Sequence, residues 1–107
     1  MKYKVNILEP WQSGTEASVE ALIVKQSKNQ FLIFIEANIK VRGENAHYFI
    51  CKFKNENDES ALKSSIEGVY PINMVFDKSI RNEQQEVPDI NSYRANFLMG
   101  EIIISPL

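Results

Sequence analysis

Apolar and polar side chains alternate in long runs through the first half of this chain, most clearly from Val19 to Phe53. From Phe31 onward, Phe31, Ile33, Ile35, Ala37, Ile39 and Val41 all fall on one parity. Successive side chains of a strand point to opposite faces, so this parity predicts a strand over Phe31–Val41 with one continuous apolar face. The other parity carries Leu32 and Phe34, then Glu36, Asn38 and Lys40. One end of the strand is therefore expected to be buried on both sides, and the other to keep one wet face. The run breaks at Arg42-Gly43-Glu44-Asn45 and resumes with His47, Phe49, Cys51 and Phe53 in a strand from Ala46 to Lys54. Two such runs around a polar turn predict a β-hairpin.

The flanking pattern adds further strands. Lys2–Leu8 alternates, with Tyr3, Val5 and Ile7 on one face, and Glu9-Pro10 stops it. Gly14 is the expected pivot of the turn that follows, and Ala17–Gln26 is a second strand. The connection at 55–60 is polar. After it, Leu62 and Ile66 stand at helical spacing, predicting a short helix capped by Asp58 or Ser60 and ended by Gly68. Val69–Phe76 reads as a fifth strand, in which Pro71 predicts an edge or a start near Ile72. Asp77–Asn91 is a polar connection of a length associated with mobile or functional loops. Asp89–Met99 fits a helical stripe and a strand parity equally well, and Glu101–Ser105, with three isoleucines, is a strand. The sum is a mainly β, β-rich α+β chain in one domain over residues 1–107. Its expected architecture is an antiparallel meander of five to six strands forming a small curled sheet, barrel or sandwich, with one or two short helices. A helix before the fifth strand also matches an OB-type barrel.

Charge and cysteine content narrow the functions. The 107 residues carry 12 Lys+Arg against 14 Asp+Glu, a net charge of -2. Proteins that live on phosphate backbones usually hold a basic surplus, so non-specific nucleic-acid binding is disfavoured overall. The one cysteine, Cys51, has no partner for a disulfide and shares its parity with Phe49 and Phe53, which predicts a small buried hydrophobe. No apolar leader follows the N-terminus, and the longest apolar run, Phe31–Ile35, is far below the roughly 18 residues of a membrane span. The expectation is a cytoplasmic protein with no membrane partner.

Catalytic parts are sparse. His47 and Cys51 share a parity, but four strand residues separate side chains by roughly 13 Å, too far for a Cys-His dyad. One Cys and one His supply half of a typical zinc set. The four glycines are isolated, so no phosphate-cradling loop is present. The acidic run at 55–59 lacks the central glycine of a calcium loop. No cofactor, no metal and no enzymatic activity are expected.

Three functions remain. The first is a non-enzymatic protein-binding module acting stoichiometrically on a basic partner, such as a toxin or nuclease, with Glu56, Asp58, Glu59, Glu83 and Glu86 as acidic contacts and Trp11 as an anchor. The second is a single-strand nucleic-acid binder on an OB-like barrel, using Lys40, Arg42, Tyr48, Lys52 and Lys54 as a basic, aromatic patch across the hairpin. The third is a self-assembling structural component, a homo-oligomer whose third and last strands pair edge to edge through their apolar ends. The long hairpin is similar to the sheet of SecB-type export chaperones, whose long following helices this chain lacks. In size, acidity, β-content and scarcity of catalytic parts the chain resembles small bacterial inhibitors, the toxin-immunity and phage anti-defence proteins. That resemblance implies the first function.

Overall fold

The computed structural model describes residues 2–8, 17–27, 29–94 and 97–105. Among them lie six strands: β1 (Lys2–Ile7), β2 (Ala17–Gln26), β3 (Phe31–Val41), β4 (Glu44–Phe53), β5 (Gly68–Phe76) and β6 (Leu98–Ile104). One short helix, α1 (Glu59–Ser64), joins β4 to β5. Each strand pairs antiparallel with the next, and β6 returns to pair with β1, so the meander closes on itself as a barrel. This consecutive order departs from the Greek-key order of an OB-fold, so the OB expectation does not hold. No helix among the described residues is long and apolar enough to cross a membrane.

The alternation read from the sequence is the barrel's inside and outside. Val5, Ile7, Ala21, Ile33, Ile35, Phe49, Cys51, Ile72, Met74 and Ile102 pack into one interior cluster. The end of the β4–β5 ladder explains how Pro71 sits within a strand. It lies one residue beyond the last β4–β5 pair, Phe53 with Ile72, so its missing N–H falls where that ladder ends. Its carbonyl still accepts from Lys54 N–H at 3.0 Å.

The hairpin turn is tighter than the polar run suggests. Val41 pairs with Glu44, leaving only Arg42 and Gly43 between strands, at φ 53° and 79°. Two positive φ values make a type I′ turn, whose twist matches the strands it joins. The helix ends before Gly68, on Ser65 in the left-handed conformation at φ 50°, with Ile66 N–H bonded to Ala61 C=O.

Between β5 and β6 the chain is neither one helix nor one strand. Ile90–Ser92 forms a single 3-10 turn, and β6 begins at Leu98. The connection from Asp77 runs down the outside of the barrel and back as a packed strap. Its Ile80 and Ile90 are buried with Leu32, Ile50 and Val75 in a second apolar cluster, joined by Val87, Tyr93 and Phe97. Polar groups tie the strap to itself. The Asp77 carboxylate accepts from Tyr93 Oη at 2.6 Å and from Ser79 Oγ at 2.6 Å. Gln85 Oε1 accepts from Arg81 N–H at 2.6 Å, and Gln85 Nε2 donates to Ser79 C=O at 2.9 Å. This strap is why Leu32 is buried on the outer side of β3, as expected for that end of the strand.

Candidate binding surfaces

Both candidate surfaces arise where β3 leaves the regular ladder. Its pairing with β2 stops at Ala21 with Ile35. One step further in the same register would set Glu20 directly across from Glu36, a destabilising like-charge pair. On the other side, Phe34 pairs with Tyr48 and the next pair is Ile39 with Ala46. Residues 35–38 therefore stand opposite His47 alone, as an enlarged bulge. His47 occupies the gap, its Nδ1 at 2.8 Å from Ile35 C=O. A carbonyl only accepts, so Nδ1 carries the proton and donates. Glu36, Ala37 and Asn38 bow outward and are exposed, while Ile39, Val41 and Ala46 beyond them are buried again.

Two parity expectations fail here for one reason. Ala37 does not join the apolar face because the bulge lifts it out. His47 does not share the side of Phe49 and Cys51. The shift hands the buried position to Ala46, and the His47 ring lies 6.0 Å from the outward-facing Phe34.

The first surface is a cleft of about 480 Å³ along the parted seam between β2 and β3. Val19, Ala21, Leu22, Phe34 and Ala37 give it an apolar lining, with Lys2, Glu20 and Glu36 among its charged groups. Lys2 Nζ stands 3.7 Å from Glu20. Among the described residues, Ser18–Glu20 and Glu36–Asn38 have no ladder partner across this seam.

The second surface is a groove of similar size between the hairpin and the start of the strap. Lys40 and Tyr48, two members of the expected basic patch, line it. The structure adds His47, Phe76, Lys78 and Arg81, which sequence reading missed because the strap brings its cations back from over 30 positions away. Arg42 stands at the adjoining turn. Glu44 is the one acid of the lining, 3.6 Å from Lys78 Nζ. The Tyr48 ring lies 5.1 Å from that of Phe34.

Lys52 and Lys54 are separated from that groove. They line a depression at the helix end with Glu56, Glu59 and Asn91. Lys52 Nζ donates to Asn91 Oδ1 at 2.6 Å and lies 5.7 Å from the centre of the Phe97 ring. The five-residue patch across the hairpin is thus divided between opposite ends of the barrel.

The two acidic segments, by contrast, flank the same β2–β3 turn. Glu59 shares a depression with Gln26, Asn29 and Gln30. On the strap, Gln85 C=O accepts from Lys25 Nζ at 2.9 Å, and Pro88 C=O accepts from Gln30 Nε2 at 2.9 Å. Glu83 and Glu86 beside these contacts are exposed, as are Glu56 and Glu59, whereas Asp58 is half-buried. Trp11 lies outside the described residues. β6 is paired with β5 from Leu98 to Ile104 and with β1 from Gly100 to Ile103, which leaves its ends as the length open to edge-to-edge assembly.

The Cys51 thiol is fully buried, and burial pushes its pKa up, so it stays protonated at neutral pH. Among the described residues, no group of three or more His, Cys, Asp and Glu is placed to hold a metal ion. Compared with protein-family models, with curated proteins and with solved structures, the chain finds no match in any of the three.

Proposed function

We propose that the barrel is a non-enzymatic protein-binding module that holds an extended segment of a basic partner along the seam between β2 and β3. The parted ladder supports this reading. A closed barrel normally leaves no strand edge, yet here two short lengths of strand lack a neighbour across an apolar cleft. An added strand would satisfy such backbone groups with main-chain hydrogen bonds, while alternate side chains enter the cleft and select the sequence. Glu20 and Glu36 at the cleft, and the acidic segments at the helix end, favour a positively charged partner by steering and by complementarity. Stoichiometric inhibition of a cytoplasmic toxin or nuclease is the biological role this suits.

The test is selection of displayed peptides against the full chain, followed by amide hydrogen exchange on the complex. Enriched Lys/Arg-containing peptides that protect the amides of residues 18–20 and 36–38 support the proposal. Glu36→Lys should weaken those peptides about tenfold or more through like-charge contact. Peptides that protect other residues, or bind Glu36→Lys equally well, count against the seam. A dimer of the free chain that Glu36→Lys abolishes would make a second copy the occupant and overturn the reading.

A further inference from the structure

We infer that the groove between the β3–β4 hairpin and the strap is a binding site for single-stranded nucleic acid. The inference does not depend on the seam, which lies on the other side of the bulge and has different charged groups. Three cations line the groove, Lys40 from β3 and Lys78 and Arg81 from the strap, and a fourth, Arg42, stands at the adjoining turn. Against them stands Glu44, which offsets part of one charge through its contact with Lys78. A chain that is acidic overall thus gathers a local positive surplus at one end. That local field, rather than the net charge, is what a phosphate backbone meets.

Charge alone would fit any anion, and the rings narrow the choice. Tyr48 and Phe76 line the groove as half-buried aromatics, and the Phe34 ring braces Tyr48 from 5.1 Å. A braced, partly open ring is a stacking platform for a base, and stacking is tolerant of base identity. His47 adds a polar group of fixed position. With Nδ1 donating to Ile35 C=O, Nε2 is the ring atom left to contact a base or a ribose 2′-hydroxyl. Volume is sufficient, since a groove of about 480 Å³ lies within the range of small-molecule sites. An acidic peptide would use the cations and leave the rings idle, so the observations favour a nucleic acid.

Fluorescence anisotropy of labelled ten-nucleotide dT and U oligomers with the full chain tests this. Neutralising four phosphates on a single strand gives a log–log salt slope of about -2.8, so affinity should fall about 50-fold between 50 and 200 mM salt. Lys78→Gln with Arg81→Gln should halve that slope, leaving a fall of about sevenfold over the same range. Tyr48→Leu should weaken binding about tenfold without changing the slope. Lys25→Gln with Lys63→Gln, at the opposite end of the barrel, should change neither. Thermal melts of each variant separate lost contacts from lost folding. Absence of binding at 50 mM salt overturns the inference. So does binding that survives the strap double variant but is lost in Lys52→Gln with Lys54→Gln. Equal affinity for polyglutamate, insensitive to Tyr48→Leu, would reduce the groove to a general anion patch and overturn it as well.

Discussion

Gly100 sits where β6 closes the barrel, paired with Ile7 of β1 on one side and Ile72 of β5 on the other. A Cβ added there would stand 2.7 Å from Met74 Sδ and 2.8 Å from Asn6 C=O. Both distances are shorter than real Cβ contacts, and neither neighbour yields easily. Met74 is fully buried in the interior cluster, and the Asn6 oxygen belongs to backbone held in the β1 ladder. Gly100→Ala should therefore act as overpacking, at a cost of about 1–3 kcal/mol. For a domain of this size each kcal/mol lowers Tm by about 4–8 °C, so a drop of about 4–24 °C is expected in a thermal melt. Adding Met74→Ala should recover only part of the loss, because the Asn6 oxygen remains in the way and a new cavity opens. The assay is urea or thermal unfolding followed by circular dichroism, with the two single variants and the double variant in parallel. A Gly100→Ala protein within about 0.5 kcal/mol of the parent would refute the argument. It would mean that β6 can shift against β1 without penalty, and that the barrel is not tightly closed at this strand.

Other substitutions test the strap, the turn and the core. Ile90→Ala removes a fully buried anchor of the outer cluster and should cost about 2–5 kcal/mol in urea unfolding; a smaller loss would show the strap to be a loose cover. The Ser79 hydroxyl, then the Tyr93 phenol, hold Asp77 below its ordinary carboxylate value, so its stabilisation is present above that value and lost as pH falls through the lower folded one. Burial, then the Asp77 contact, raise the Tyr93 phenol, whose contribution is lost instead as pH climbs above 10.0. Tyr93→Phe should cost about 1 kcal/mol near neutrality and flatten both limbs of a stability–pH curve; unchanged limbs would place the pH dependence elsewhere. Arg42→Asn should stabilise by about 0.5–1 kcal/mol, since asparagine suits the first left-handed position of the Arg42-Gly43 turn better than arginine. Cys51 should react with a thiol reagent only in denaturant, and fast labelling of the native protein would contradict its burial.

The strands were legible because strict alternation admits few other structures. The bounds of β2 and β3 follow directly from parity and punctuation, and β4 differs by two residues at its start, where the turn is tighter than the polar run implied. Closure was not legible, because a curled sheet and a barrel carry the same alternation. The difference lies in whether β6 reaches β1, a contact between residues nearly a hundred positions apart. The packing of the strap is not legible for a related reason. Its composition is polar, and its anchors Ile80, Val87 and Ile90 follow no period, so nothing local marked it as packed. The basic groove suffered most. Lys40 and Tyr48 were found from the hairpin, but Lys78 and Arg81 come from a segment whose path only the fold reveals. Lys52 and Lys54 share the parity of the groove residues but not their place, because strand parity carries no information about which end of a barrel a residue occupies.

The bulge at residues 35–38 links these outcomes. A barrel satisfies every strand edge and turns its apolar side inward, so a perfect one presents few places to grip a macromolecule. Here β3 is longer than the lengths of β2 and β4 that pair with it, and the excess is gathered opposite His47. The pairing of β2 with β3 ends where this bulge begins, and the seam lies beyond that point. On its other side Lys40 and Tyr48 of the hairpin line the groove with Lys78 and Arg81 of the strap. The same turn of the chain brings Ile39, Val41 and Ala46 back into the interior cluster, so burial of the hairpin offsets the lost ladder bonds. Among the described groups whose protonation is clearly displaced, Cys51 fills the core and Asp77 with Tyr93 locks the strap, so each has a structural cause. The bulge thus has two openings of unlike charge beside it, the cleft with Glu20 and Glu36 on one side and the groove with Lys40, Lys78 and Arg81 on the other.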